Sequence, residues 1–189
     1  GKIWQNTYIL VFPEGNTIFS FEVSEKAKRL FAAERLKTQV EDEKLKVILK
    51  AAMFSPSAMH LRPWHFVVVR DKEIRERLSK VTEWAYFLRE APLNIVVCGD
   101  KNAKRWIEDC SIAAEHIMLQ ATELGLGSCW VAIHNSSSNP KAEEEVKETL
   151  AIPDNFGVLC IIAIGYRGEE KEEHSDKEFE EEKVHYDHF

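Results

Sequence analysis

Apolar residues along this chain follow two rhythms. Leu45, Ile48, Leu49 and Ala52 fall at i, i+3, i+4 and i+7 within "EKLKVILKAAM", the spacing of one helix face. A longer stretch from about Lys104 to Leu124 repeats that spacing. Its stripe holds Ile107, Cys110, Ala114, Ile117, Met118, Ala121 and Leu124, widened by Ala113, and Gly125 and Gly127 stop it. The other rhythm is continuous. "HFVVV" (65–69), "LNIVVCG" (93–99), "SCWVAI" (128–133) and "GVLCIIAIGY" (157–166) are apolar runs of strand length, read as buried strands. A charged helix over about 71–81 and a short exposed helix at "KAEEEVKETL" fill the gaps between them.

The two ends depart from this pattern. "NTYILVF" and "TIFSFEV" are β-rich runs around "PEGN", which predicts a hairpin or extended arm, and Ser24 would then cap a helix over "EKAKRLFAAERLK". Residues 1–23 are therefore expected to form an N-terminal extension and 24–189 one domain. The segment 169–183 carries nine acidic and three basic residues, a run expected to be solvated and irregular. Apolar strands between amphipathic helices predict an α+β domain (an α/β three-layer plan) with helices covering a sheet.

Length and charge narrow the function classes. With 189 residues, 44% of them hydrophobic, the chain is about one domain with a real core. A formal net charge of −7 argues against nucleic acid or an anionic membrane as partner, because phosphate binding needs clustered Lys and Arg. No apolar run approaches the roughly 20 residues of a membrane helix, and "YILVF" is too short for a secretory signal. Cys98, Cys110, Cys129 and Cys160 are widely spaced in apolar surroundings, which fits buried free thiols in a reducing cytoplasm. No metal site is expected: His185 and His188, with Asp187 between them, are a poor ligand set.

Dinucleotide, phosphate-loop and nucleophile-elbow motifs are absent from the sequence. Two small-residue connections remain. "SPSA" (55–58) ends a helix and leads toward a strand, and "GLGSCWVAIH" (125–134) opens another. Small residues let backbone N–H and C=O groups approach a ligand closely. Two such lips suit a planar heteroaromatic with a polar edge and an apolar face, and a flavin, with N5, O4, N3 and O2 along one edge, fits that description. Spacing alone fits two ordinary connections better. His134 and Asn135 are either site residues or loop polars.

The run "ILKAAMFSPSAMHLRPWHFVVVRD" (48–71) resembles the nitroreductase family of FMN-dependent oxidoreductases, whose usual form is a helix ending in Ala-Pro-Ser-x-x-Asn-x-Gln-Pro-Trp before a hydrophobic strand. The likeness continues through "APLNIVVCGD", "DCSIAAEHIMLQATELGLGSCWVAIH", "LAIPDNFGVLCIIAIGY" and a final Val-His-Tyr. The resemblance implies a mainly antiparallel sheet covered by helices, in an intertwined, cytoplasmic homodimer. The apolar face of the 104–124 helix would be buried between subunits. FMN would sit at the dimer interface. Pro56, Ser57, Ala58, His60 and Arg62 would approach it from one subunit, and Trp130, Val131 and Ala132 would offer backbone contacts from the other side.

Ping-pong hydride transfer from NADH or NADPH through flavin N5 to nitroaromatics, quinones or similar acceptors is the implied activity, with Arg62 the candidate to stabilise charge at the N1/O2 edge. The alternative is a non-catalytic or flavin-poor member serving as a dimeric binding or scaffold protein. Two departures bear on the site. The family's opening Arg-Arg-Ser-x-Arg is missing, so Arg29 and Arg35, with Lys28 behind them, and Lys177 in the acidic run are the stand-ins for phosphate contacts. His60 and Arg62 also occupy positions where the family commonly has Asn and Gln.

Overall fold

A computed structural model describes residues 7–8, 38–167 and 179–189. Its sheet contains β1 (Thr7–Tyr8), β2 (Trp64–Val69), β3 (Leu93–Asp100), β4 (Leu126–Ala132) and β5 (Phe156–Tyr166), in the order β1-β4-β5-β3-β2. The pairs β2/β3, β3/β5 and β4/β5 are antiparallel, and only the two-residue β1 runs parallel to its neighbour, β4. The helices are α1 (Asp42–Met53), α2 (Lys72–Leu78), α3 (Trp106–Glu123) and α4 (Ala142–Leu150). The α+β expectation and the mainly antiparallel sheet are both met.

Side-chain alternation along the strands divides the interior in two. Val96, Cys98, Val158, Ile161 and Ala163 point to one face, where Leu78, Val81, Phe87, Leu88 and Val146 close a core. Leu93, Ile95, Val97, Ile162 and Ile164 point to the other, against Ile48 and Ala52 of α1 and Cys110, Ala113, Ala114, Ile117, Met118 and Ala121 of α3. All of β3 except Asp100 is buried, which explains why it reads as a continuous apolar run. At the start of α1, the Tyr166 hydroxyl at the end of β5 donates to the Glu41 carboxylate.

Several expectations shift. The apolar stripe of α3 is buried inside its own subunit and is not left for a partner. Ile107, expected on that stripe, is 38% exposed, while Trp106 and Asp109 are buried. The "exposed" helix α4 buries Ala142 and Val146. Gly125 takes a left-handed φ of 76°, so β4 starts at Leu126, two residues before the apolar run suggested. Asp71 caps α2 by accepting from the Ile74 N–H at 2.9 Å. Ahead of residue 38 only Thr7–Tyr8 is described, as an edge strand. The predicted hairpin turn and the Ser24-capped helix lie outside the described residues. All four cysteines are buried.

Candidate functional site

Between α1 and β2 the chain makes a tight polar loop. Phe54 closes α1 with its N–H on Lys50 and Ala51 carbonyls, and a short 3-10 turn follows at Ala58–His60. Met59, His60 and Arg62 all have positive φ, at 51°, 56° and 49°. Left-handed backbone is costly for residues with a Cβ, and it persists where surrounding contacts impose it. Those contacts are visible. Ser57 Oγ accepts from the Arg62 N–H at 3.0 Å, and Ser57 and Ala58 carbonyls accept from the His60 and Leu61 N–H groups. Arg62 Nη2 donates to the Met53 carbonyl at 2.8 Å, placing its charge at the C-terminal end of α1.

Pro56, His60 and Arg62 are exposed and Ser57 and Ala58 half-buried. The loop also presents Phe54 (79% exposed), Met59 (85%) and Leu61 to the outside. Its anchor to the body is the Ala58 N–H, which donates to Asp109 Oδ1 at 2.9 Å.

The second expected lip, Trp130 to Ala132, forms the end of β4. β5 pairs it along one side, and on the other side the described part of β1 pairs with Ser128 and Cys129. From Trp130 onward the described residues give no pairing on that outer edge. A register shift between Val97 and Cys98 accompanies a bulge at Leu159, whose carbonyl accepts both the Ile133 N–H (3.1 Å) and the His134 N–H (3.0 Å) and so ends the strand. Val131 is buried and Ala132 exposed. Just beyond, His134 Nδ1 is hydrogen-bonded to Glu143 Oε2 at 3.0 Å, and Glu143 Oε1 accepts from the Val158 N–H.

Both lips meet the first turn of α3. Asp109 holds the loop, and Trp106, one turn earlier, stands edge-on to His134 with ring centroids 5.0 Å apart. Gly99 and Gly157, paired across β3 and β5, make room for that indole. A Cβ at Gly99 would lie 2.7 Å from Trp106 Cε3, and one at Gly157 2.6 Å from its Cζ2. Sequence reading passed over Trp106 and Asp109. The available signal was a carboxylate one turn after a tryptophan and directly before Cys110, on the stripe that the helix buries.

Three buried polar atoms of these segments are candidates to meet a ligand's polar edge. Ser55 Oγ beside the loop, Ser128 Oγ on β4 and Asp109 Oδ2 are buried polar atoms with no hydrogen-bond partner among the described residues. Arg29, Arg35 and Lys177, expected to contact a phosphate, lie outside the described residues. No group of His, Cys, Asp and Glu able to hold a metal occurs among the described residues. Burial pushes the Cys98 and Cys110 thiols up to about 12, and Cys160 is raised for the same reason. Such thiols are poor nucleophiles.

The model of the nitroreductase family matches residues 36–85 and 79–166. Among solved structures, an FMN-dependent nitroreductase of Clostridium difficile R20291 is 42% identical with a TM-score of 0.77, over 85% of this chain and 98% of that one. A nitroreductase family protein from Clostridium difficile 630 is 32% identical with a TM-score of 0.67, over 88% and 98%. An Archaeoglobus fulgidus protein named "Putative NADH dehydrogenase/NAD(P)H nitroreductase" is 38% identical over 153 residues, 78% of this chain and 86% of its own length. With the same fold and a family match over most of its length, this chain belongs to the nitroreductase family.

Proposed function

We propose that this protein is an FMN-dependent oxidoreductase that works as a homodimer, taking hydride from NADH or NADPH and delivering it to nitroaromatics, quinones or similar electron-poor acceptors. The observation that carries the reading is the left-handed loop at 56–62, anchored by Asp109 to the first turn of α3, which also sets Trp106 against His134 just past the β4 lip. Family membership supports the choice of flavin among flat ligands.

When bound, FMN would supply hydride-transfer chemistry at its N5. The chain's part is to bind and orient. Backbone groups of Trp130, Val131 and Ala132 would hold the polar edge of the ring, with Pro56, Ser57 and Ala58 as the other lip. Arg62, with one guanidinium N–H on the Met53 carbonyl, keeps a positive charge close to the lip, and His60 adds a ring N–H donor. Arg29, Arg35 and Lys177 remain the proposed phosphate contacts.

A second copy of the chain suits the exposed apolar residues. Phe54, Met59 and Leu61 beside the loop and Ile107 and Ile112 on α3 lie open, as do Phe179, Val184, Tyr186 and Phe189 near the end of the chain.

The test is optical. Purified protein is expected to take up FMN at micromolar concentration, and its flavin absorbance should bleach anaerobically with NADH or NADPH and return on adding a quinone. Failure to retain FMN overturns the reading in favour of a scaffold. Retention without bleaching by either nicotinamide rejects the enzyme while leaving the flavin site.

A further inference from the structure

We infer that Asp109 is a positioning residue that sets the conformation of the 56–62 loop before any cofactor arrives, an inference that rests on the loop being the flavin lip proposed above. Asp109 is 3% exposed, among Cys110, Ala113 and Ala114 on the buried face of α3. A carboxylate is an unfavourable occupant of that position: burial strips its water, and among the described residues only Oδ1 has a partner, the Ala58 N–H at 2.9 Å. Oδ2 is buried with none among the described residues. An aliphatic residue of the same size would fill the space without that penalty, so core packing does not account for an aspartate here.

What the carboxylate does is local and specific. It fixes one N–H of a loop whose next residues, Met59, His60 and Arg62, hold left-handed backbone without glycine. Apart from that bond, the loop's polar contacts are largely within itself and to the last turn of α1. The helix bearing Asp109 is clamped in turn, because Trp106 is wedged over Gly99 and Gly157 and against His134. Asp109 thus transmits the rigid register of β3 and β5 to the loop. A bond to a charged acceptor holds a peptide more firmly than one to a neutral acceptor, and lodging the acceptor in the core keeps the loop from relaxing to ordinary backbone. The loop is then already in its binding conformation, and ordering it does not weaken ligand affinity.

Two variants and two readouts test this. Asp109→Asn keeps the shape and an acceptor oxygen, whereas Asp109→Leu keeps the branching of the side chain and removes the acceptor. Amide exchange at Ala58 is followed in apoprotein, and FMN affinity by quenching of flavin fluorescence. Asp109→Leu is expected to fold and to exchange Ala58 at least about tenfold faster, with FMN affinity at least about tenfold weaker, the lower end for losing a hydrogen bond to a charged group. Asp109→Asn should restore both to within about threefold of wild type. Unchanged Ala58 exchange or unchanged FMN affinity in Asp109→Leu overturns the inference. So does unprotected Ala58 in wild-type apoprotein, a measurement that needs no variant to fold. Wild-type protein that protects Ala58 yet does not quench FMN would instead refute the flavin reading, so the two failures are distinct.

Discussion

The paired strands β3 and β5 and the 54–62 loop sit a few residues apart in the fold and are built on opposite terms. In the strands almost every side chain is buried and the backbone polar groups are engaged in the ladder. Stability there is the sum of many contacts, none of them singular. The loop exposes Phe54, Met59 and Leu61 and takes three non-glycine residues into left-handed backbone, with its shape resting on a handful of named hydrogen bonds. Perturbing the strands should therefore change how stable the protein is, and perturbing the loop should change what it holds.

The largest effect is expected from alkali acting on the core. Cys98 and Cys110 are raised from 9.0 to about 12 by burial, and the Cys110 thiol also donates to the Cys98 carbonyl at 3.4 Å. Each folded thiol keeps a proton that the unfolded chain releases above pH 9. The stabilisation is thus complete below pH 9 and is lost as pH rises toward about 12, at roughly 1.4 kcal/mol per pH unit for each thiol. Urea unfolding in reducing buffer across that range should show the decline. A Cys98→Ala/Cys110→Ala variant should lose most of the slope, and an equally steep slope in the variant would refute the assignment.

Gly157→Ala comes next. The added methyl would press on the Trp106 ring 2.6 Å away, in a site where the indole is 8% exposed and has Gly99 below it. Overpacking of this kind costs about 1–3 kcal/mol. Because Trp106 also abuts His134, the His134 ring resonances should shift as well. Wild-type stability and unchanged resonances would mean that the glycine pair is not the seat of the indole.

This contrast also explains how far the sequence could be read. The strands were legible because a surface buried on both sides demands apolar side chains at every position, and the run from Leu93 to Cys98 nearly meets that demand. The exception, Asn94, is tied locally through its Nδ2 on the Leu88 carbonyl, while its Oδ1 is buried without a partner among the described residues. Likewise the middle of α3 was legible from its stripe. Its first turn was not, because periodicity weighs Ile107 and Trp106 alike, and what decides between them is the space over Gly99 and Gly157, on strands that only the fold brings beneath the helix. Asp109 was missed for a related reason: a carboxylate reads as surface until its partner, the Ala58 N–H, is brought to it by the fold. The loop itself was located by its small residues, but its left-handed backbone at Met59, His60 and Arg62 has no glycine to announce it.

The smallest effect belongs to Ser57→Ala, and it is the one that most directly tests the contrast. Ser57 Oγ accepts from the Arg62 N–H at 3.0 Å in an exposed part of the loop. Water can take over that N–H when the hydroxyl is removed, so the loss in global stability should stay under about 1 kcal/mol. The local consequence should be larger than the global one. Arg62 sits at φ 49° directly before Pro63, and the Ser57 bond helps to hold it there. Amide exchange at Arg62 should therefore speed up while exchange in β3 and β5 does not change, which is the signature of local opening. If Ser57→Ala instead lowers the unfolding free energy as much as Gly157→Ala, the loop unfolds together with the sheet. Its strain would then be sustained by the whole core, and not by the few bonds that can be named.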